Sequence, residues 1–413
     1  MPGLTSVGIR KMAKKAESCI QPISVYGIIR IHILSFVFGI WVLCKKLLKW
    51  IWDPQACGIR TLRDTPPSLL VDSSIGQHKH LKLKGVKLHY VEAGPKDKPL
   101  VLLLHGFPDF WLSWRYQIPA LAEQFHVVAL DLRGFGDSDK PAWRTSYKIE
   151  IILEELSQFI YSLGDNSCIL IGHDLGALLG WYLIHENPSI VSKFVAVSCP
   201  HPNVYWQTFN SSYNYQWLNF VQLPYLPEID ALKEDVKIIE QYHKHLPAKD
   251  VHLEAYKYTF SRKQDWTGPI NYYRNLPFFK ISEKLEHIEI PVVLITGSKD
   301  QYVSLEGIIR STEYCEKFRL KVIEDCGHFP HQENPEMFNS VLLKYITHKN
   351  TNEIKNILTY SPSKRLINGL FGAVSNTVKI GNSVIGSMQK KTNDVVNSIP
   401  SFTLSTSPST IMQ

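Results

Sequence analysis

The chain has 413 residues, 44% of them hydrophobic and 20% charged, and a net charge of +7. That length calls for one large domain with appendages, and the composition fits a globular enzyme and excludes wholesale disorder. The charge is a mild bias with no Lys/Arg-rich run in mid-chain, so nucleic acid is not expected as a partner; much of the excess lies near the N-terminus and points to a membrane surface. The seven cysteines (Cys19, Cys44, Cys57, Cys168, Cys199, Cys315 and Cys326) are scattered, with no CxxC pair, metal-site spacing or disulfide framework, and are expected to be reduced thiols, mostly buried.

Residues 1–22 form a basic segment containing Arg10, Lys11, Lys14 and Lys15. Residues 23–52 read as a membrane anchor. From Ile23 to Cys44 only Arg30 and His32 interrupt an apolar run, and Trp41, Trp50, Trp52 and the trio Lys45, Lys46 and Lys49 resemble interfacial anchors. A single span is expected if Arg30 snorkels toward one interface. The competing reading is a helix lying in the interface, because the uncharged core from Ile31 to Cys44 is only fourteen residues. No small-residue cleavage site follows, as a removed signal peptide would require. Basic residues lie on both sides, so orientation is not fixed.

Residues 53–80 read as a Pro-containing linker. In 81–200, Leu81–Tyr90 alternates around Gly85 as a hairpin, and short apolar runs follow at Leu100–Leu104, Val127–Leu130, Cys168–Ile171 and Phe194–Val197. Helix-like stretches such as Ile149–Leu163 and Ala177–His185 separate them. Residues 201–287 break this rhythm, are rich in Tyr and Trp, and read as a helical lid. Residues 288–348 return to it, with runs at Pro291–Thr296 and Leu320–Ile323. Continuous apolar strands alternating with helices predict an α/β fold, a mostly parallel sheet covered on both faces. Residues 349–413 are rich in Ser, Thr and Asn and are expected to be a mobile tail; Leu366, Ile367, Leu370, Phe371, Val374 and Val378 fall at helical spacing and suit either a membrane-surface helix or transient structure.

The string Ile171-Gly172-His173-Asp174-Leu175-Gly176 follows an apolar strand and precedes a helix, the place where a tight turn lifts a nucleophile from the sheet edge. Asp174 is the candidate nucleophile. A carboxylate is ionised at neutral pH, needs no activating base, and suits attack on a saturated carbon to leave an ester on the enzyme. Taken alone, the string also fits a helix N-cap aspartate, so its partners decide. Leu100–Leu104 runs into His105-Gly106-Phe107-Pro108, a loop whose backbone can face the nucleophile. The N–H groups of Phe107 and Leu175 are the candidate oxyanion donors, with His105 and Pro108 orienting the loop. Asp300 and His328 each lie just past a later apolar strand. The order Asp174…Asp300…His328 is nucleophile, acid, histidine, with Asp300 orienting His328 and His328 activating water. Tyrosines at Tyr213, Tyr215, Tyr272 and Tyr273 offer protonated phenols for a leaving oxygen, although lid packing must account for most of the tyrosines.

Several strings together resemble the epoxide hydrolase family of the α/β-hydrolase fold. They are His105-Gly106-Phe107-Pro108 with Trp111 and Trp114-Arg115, Asp131-Leu-Arg133-Gly134-x-Gly136-x-Ser138-Asp139, Gly172-His173-Asp174-x-Gly176, Asn271-Tyr272-Tyr273-Arg274-Asn275, and Gly327-His328. The match covers roughly Leu81 to His348. The N-terminal apolar segment and Pro200-His-Pro-Asn-Val204 resemble the membrane-anchored animal branch, which implies a single-pass protein of the endoplasmic reticulum. The resemblance implies an apolar epoxide substrate, no cofactor, no metal, and two lid tyrosines. Tyr273 matches the second. Tyr215-Gln216 resembles the Tyr-Gln pair of the first, and Tyr215 is taken as that tyrosine, although counting back from Gln222-Leu223-Pro224 puts Trp217 in that register. Leu175 departs from the Trp that many members carry there. The rival readings are a haloalkane dehalogenase-like hydrolase and a catalytically silent lipid-binding or adaptor protein.

Overall fold

Runs of Leu, Val and Ile become strands where both sheet faces are covered, because each side chain is then removed from water whichever way it points. In the computed structural model the described residues are 18–52, 63–208, 214–282 and 287–347, apart from the side chains of residues 49, 50, 208, 214 and 215. All but β1 and β8 of the ten described strands form one sheet. The strands are β1 (Ile20–Pro22), β2 (Gln77–Leu83), β3 (Val86–Ala93), β4 (Leu100–Leu104), β5 (His126–Leu130), β6 (Cys168–His173), β7 (Val191–Val197), β8 (Phe279–Ile281), β9 (Val292–Gly297) and β10 (Phe318–Ile323). The sheet runs β10-β9-β7-β6-β4-β5-β3-β2, parallel from β10 to β5, with β3 antiparallel to both of its neighbours. All five residues of β4 are buried. The β2–β3 hairpin pairs Leu83 with Val86 across a two-residue turn, where Gly85 takes φ +83°, a conformation costly for residues with a Cβ.

The helices are α1 (Val25–Trp52), α2 (Gln117–Ala122), α3 (Ile149–Ser162), α4 (Leu175–Glu186), α5 (Pro202–Thr208), α6 (Asn214–Val221), α7 (Leu226–Ala231), α8 (Lys233–Tyr242), α9 (Val251–Thr259), α10 (Gln264–Tyr273), α11 (Leu305–Arg310), α12 (Pro330–Glu333) and α13 (Pro335–Thr347). The helices α5 to α10 are inserted between β7 and β9 and form a cap over the carboxyl ends of the parallel strands.

Three expectations need correction. The first core strand begins at Gln77, inside the stretch read as linker, and Arg63 of that stretch is docked on the cap by a two-pronged pair with Asp235 (2.7 and 2.8 Å) and a contact to Glu254. The lid stretch is not purely helical, because it contains β8. The stretch read only as a basic segment ends in β1, which pairs antiparallel with β8 in register Ile20↔Ile281. The tail from residue 349, with the helix suggested at 366–378, lies outside the described residues.

Candidate active site

Asp174 is the residue between β6 and α4, at φ 45° and ψ −111°. A non-glycine residue is rarely held at positive φ, and here the turn is fixed from both sides. Its N–H donates to the Val197 carbonyl at 3.0 Å, and its own carbonyl accepts from Leu178 at 2.8 Å. The small flanking residues are required by packing. A Cβ on Gly172 would lie 2.5 Å from the Ala177 nitrogen, and one on Gly176 would lie 2.3 Å from the Leu104 carbonyl oxygen.

Three neighbours converge on this carboxylate. Oδ2 accepts from the Phe107 N–H at 3.1 Å and from the Tyr273 hydroxyl at 3.4 Å. Oδ1 lies 3.8 Å from His328 Nε2, an ion-pair distance rather than a hydrogen bond. On the far side of the ring, His328 Nδ1 bonds Asp300 Oδ2 at 2.9 Å. Asp300 Oδ1 accepts from the N–H groups of Tyr302 and Val303 at 2.8 and 3.2 Å, which fixes the acid. The structure thus brings Asp174, Phe107, Tyr273, His328 and Asp300 together; Leu175 follows Asp174 as the first residue of α4. The side chain of Tyr215 lies outside the described residues.

The charges bind one another. Burial alone would lower the His328 pKa, but the carboxylates of Asp300 and Asp174 outweigh it and raise the imidazole to about 10. Burial would raise both aspartates; His328 overrides it, and both carboxyls sit below the ordinary carboxylate range. Burial, with the charge on Asp174, pushes the Tyr273 hydroxyl well above its usual range, so it stays protonated.

Loop supports surround the set. His105 is fully buried; its Nδ1 donates to the Gly106 carbonyl at 2.8 Å and its Nε2 accepts from the Leu132 N–H at 3.1 Å. Burial holds it neutral, with a pKa near 4. Pro108, which follows Phe107 by a cis bond, accepts at its carbonyl from His243 Nε2 of the cap at 2.9 Å. Asp131 accepts from the Trp111 N–H (2.8 Å), the Asp137 N–H (3.1 Å) and His89 (2.7 Å), closing its own loop against the loop that follows β4.

Aromatic rings of the cap wall the site. Phe107 has Tyr273, Trp217, Trp266 and Tyr242 around it, at centroid distances of 5.3, 5.8, 6.0 and 6.2 Å. Trp217 stands edge-on to Tyr273 at 4.6 Å, so the residue found by counting back from Gln222 does reach the site. Tyr302 stacks on Tyr242 at 6.1 Å and meets His328 edge-on at 4.9 Å. Sequence reading missed both residues. The signal available for Tyr302 was its place two residues after Asp300; Tyr242 carried none.

Beneath His328 lies a fully buried polar cluster of Asp109, His173 and His331, with one candidate ligand atom from each within 4.8 Å of the others. Its donor types could hold a metal, but its carboxylate is committed to the protein. Asp109 accepts from Ser113 (2.6 Å), Tyr256 (2.7 Å) and the Phe110 N–H (2.9 Å), while burial raises its carboxyl to about 7. His173 Nε2 donates to the His328 carbonyl at 2.9 Å, and His331 Nε2 meets Ser113 at 2.8 Å. The cluster thereby supports the backbone that carries His328.

A mostly parallel sheet that places Asp174, Asp300 and His328 just past the ends of β6, β9 and β10, under a helical cap, defines an α/β-hydrolase-fold protein; the family model described as alpha/beta hydrolase fold matches residues 99–335. Over 340 residues the chain is 35% identical to Epoxide hydrolase 4 of Homo sapiens, covering 76% of this chain and 92% of that one. It is 33% identical to Epoxide hydrolase 3 of Xenopus tropicalis over 69% of this chain and 82% of that one. Similar solved structures include an epoxide hydrolase of Vigna radiata (TM-score 0.60, 28% identity, 67% of this chain and 99% of that one) and one of Bacillus megaterium (TM-score 0.58, 29% identity, 65% and 100%). The chain belongs to the epoxide hydrolase family.

Proposed function

We propose that this protein hydrolyses apolar epoxides to vicinal diols through a covalent ester on Asp174, and that α1 holds it on a membrane, where such substrates dissolve. The observation that carries the reading is the placement of one carboxylate between a backbone donor, a lid phenol and a charged histidine. The aromatic wall around Phe107 favours apolar substrates, and lipid epoxides are the class that a membrane would supply. Tyr273 suits an oxygen leaving group, and Leu175 offers no side-chain N–H for a halide, which favours epoxide opening over dehalogenation.

In the first step one Asp174 oxygen attacks a ring carbon as the C–O bond breaks, and Tyr273 gives its proton to the leaving oxygen. The other carboxylate oxygen, held by the Phe107 N–H, becomes the ester carbonyl. Esterification removes the negative charge of Asp174, one of the two that hold the proton on His328. That proton can then pass to the Tyr273 phenolate, which restores the phenol and leaves His328 neutral, the form a general base requires. His328, oriented by Asp300, takes a proton from water. The hydroxide adds to the ester carbonyl carbon, with the N–H groups of Phe107 and Leu175 holding the oxyanion. Collapse releases the diol with one proton from water and leaves the other on His328, so the resting charges return. Tyr215 is proposed as a second phenol on the resemblance alone.

The test is diol formation from a fatty-acid epoxide by microsomes of the endoplasmic reticulum carrying the full chain, compared with Asp174→Ala, followed by single turnover of purified protein in ¹⁸O-labelled water. Loss of activity in the variant, with unlabelled oxygen in the first diol, is expected. Label in that first diol would exclude the ester. A folded protein inert toward a broad epoxide panel would favour a silent scaffold.

A further inference from the structure

α1 has 28 residues without an acidic side chain, and its 24-residue stretch from Val25 to Leu48 is apolar enough to cross a membrane by length and composition. It is nevertheless fastened to the cap along its flank. Just before it, β1 pairs with β8 and the Ile23 N–H donates to the Phe278 carbonyl at 2.9 Å. Along the helix, His32 stacks on Phe278 at 5.2 Å and Ser35 donates to Asn219 of α6 at 3.1 Å. Further on, Gly39 lies against Leu223, and Lys46 pairs with Asp230 of α7 at 2.7 Å. Ile28, Ile31, Ser35, Gly39, Val42 and Lys46, three or four residues apart, form the covered seam.

At 1.5 Å per residue α1 is about 42 Å long, and the stretch from His32 to Lys46 takes up about 21 Å of its middle. The free ends before and after that stretch are about 10 Å each, and a hydrocarbon core is about 30 Å thick. A docked α1 that crossed the bilayer would therefore carry Asn219, Asp230 and Lys233 of the cap into hydrocarbon, where unsatisfied polar and charged groups are costly. The opposite face is apolar and open: Ile29, Ile33, Phe36, Val37, Ile40 and Leu47 are exposed. Among the described side chains of α1, the charges on this exposed side are basic. Arg30 is exposed, and Lys45 sits over the Trp41 ring at 3.8 Å. An apolar strip edged by cations complements an anionic lipid surface.

We propose that α1 lies in the plane of one leaflet while docked on the cap, so that the chain is held on the membrane from one side rather than threaded through it. This rests on the membrane attachment proposed above and replaces the single span with the interfacial reading. It also sets the cap's orientation. α6 presents Asn219 to α1 and Trp217 to Tyr273, so one helix separates the membrane-bound element from the reacting groups. The site thus lies on the membrane side of the protein.

The experiment uses the full chain with an epitope tag at each end, in sealed microsomes, with and without Ser35→Cys/Asn219→Cys. Protease is added before and after permeabilisation, and the linked peptide is identified by mass spectrometry after mild oxidation. Both tags on one side of the membrane, together with a 35–219 disulfide in the membrane fraction, is the expected result. Tags on opposite sides would overturn the in-plane arrangement while leaving attachment and catalysis intact. Tags on one side without the crosslink, in a variant that keeps epoxide turnover, would overturn the docking. Failure of the unmodified chain to float with vesicles containing anionic phospholipid would overturn attachment itself, and a vesicle-bound second protein competing for the strip would count against a lipid occupant.

Discussion

In the proposed mechanism Tyr273 is both a wall and a proton donor, and one substitution separates the two roles. Its ring packs at 4.6 Å from Trp217 and 5.3 Å from Phe107, while only its hydroxyl reaches Asp174. Tyr273→Phe keeps the ring and removes the phenol. Formation of the ester in single turnover is expected to slow by about 10²-fold or more, the usual weight of a positioned acid. Thermal stability is expected to stay close to that of the parent, because the lost bond is a long one. If the step were unchanged, another group would be supplying the proton, and the tyrosines already beside the site, Tyr242 among them, would be tested next.

At the scale of elements, the cap is held in register by one guanidinium. Arg274, next after α10, donates from Nε to the Val221 carbonyl at 2.8 Å and from Nη2 to the Leu223 carbonyl at 2.6 Å, and it pairs with buried Glu228 of α7 at 2.7 Å. It therefore closes the turn between α6 and α7, and α6 carries Trp217. Removing one partner of a buried pair strands the other, at a typical cost of about 3–5 kcal/mol. Arg274→Ala should lose stability of that order in denaturant unfolding. Arg274→Lys should recover only part of it, because an ammonium cannot supply the same fork of donors. A loss below about 1 kcal/mol would mean the clamp is marginal.

This division also explains what the sequence could reveal. The central strands were legible because burial on both faces writes them as unbroken apolar runs; the run at Leu100–Leu104 is β4 to the residue. The hairpin was legible through Gly85, and the elbow through the two glycines that its close packing demands. β1 and β8 were not legible: three residues each, far apart in the chain, they have no pattern until they meet. The same holds for Arg63, whose partners belong to α8 and α9. In α6 the choice between Tyr215 and Trp217 depends on helical phase relative to the site, which composition does not contain. A string singled out by resemblance to the family, such as Asn271–Asn275, reads as chemistry in the sequence, yet in the structure Arg274 and Asn275 serve the clamp and the Arg144 carbonyl, and only Tyr273 faces Asp174.

The whole molecule should record the charges of Asp174, Asp300 and His328 in its stability. His328 has a folded pKa of about 10 against an ordinary value near 6.5, so the folded state holds a proton that the unfolded state releases. Its contribution to stability is fully present below about pH 6.5 and is lost as pH rises through about 10. The depressed carboxyls of Asp174 and Asp300 act in the opposite direction; their contribution is present above the ordinary carboxylate range and is lost as pH falls below it. Asp109, raised to about 7, also favours the protonated folded state, but its effect is complete once the pH passes 7. The His328 contribution is read most cleanly between about pH 7.5 and 8.5, where the unfolding free energy should decline steadily; above that range the thiols of Cys168, Cys199, Cys315 and Cys326, which burial also raises, add to the decline. Asp300→Asn removes the largest charge holding that proton and should flatten the decline, while the curve below pH 4 loses part of its acid limb. A parent curve already flat from about pH 7.5 to 8.5 would mean that His328 is neutral in the resting protein. It could then act as a base without waiting for ester formation to release its proton, and the proton transfer proposed between the two chemical steps would be unnecessary.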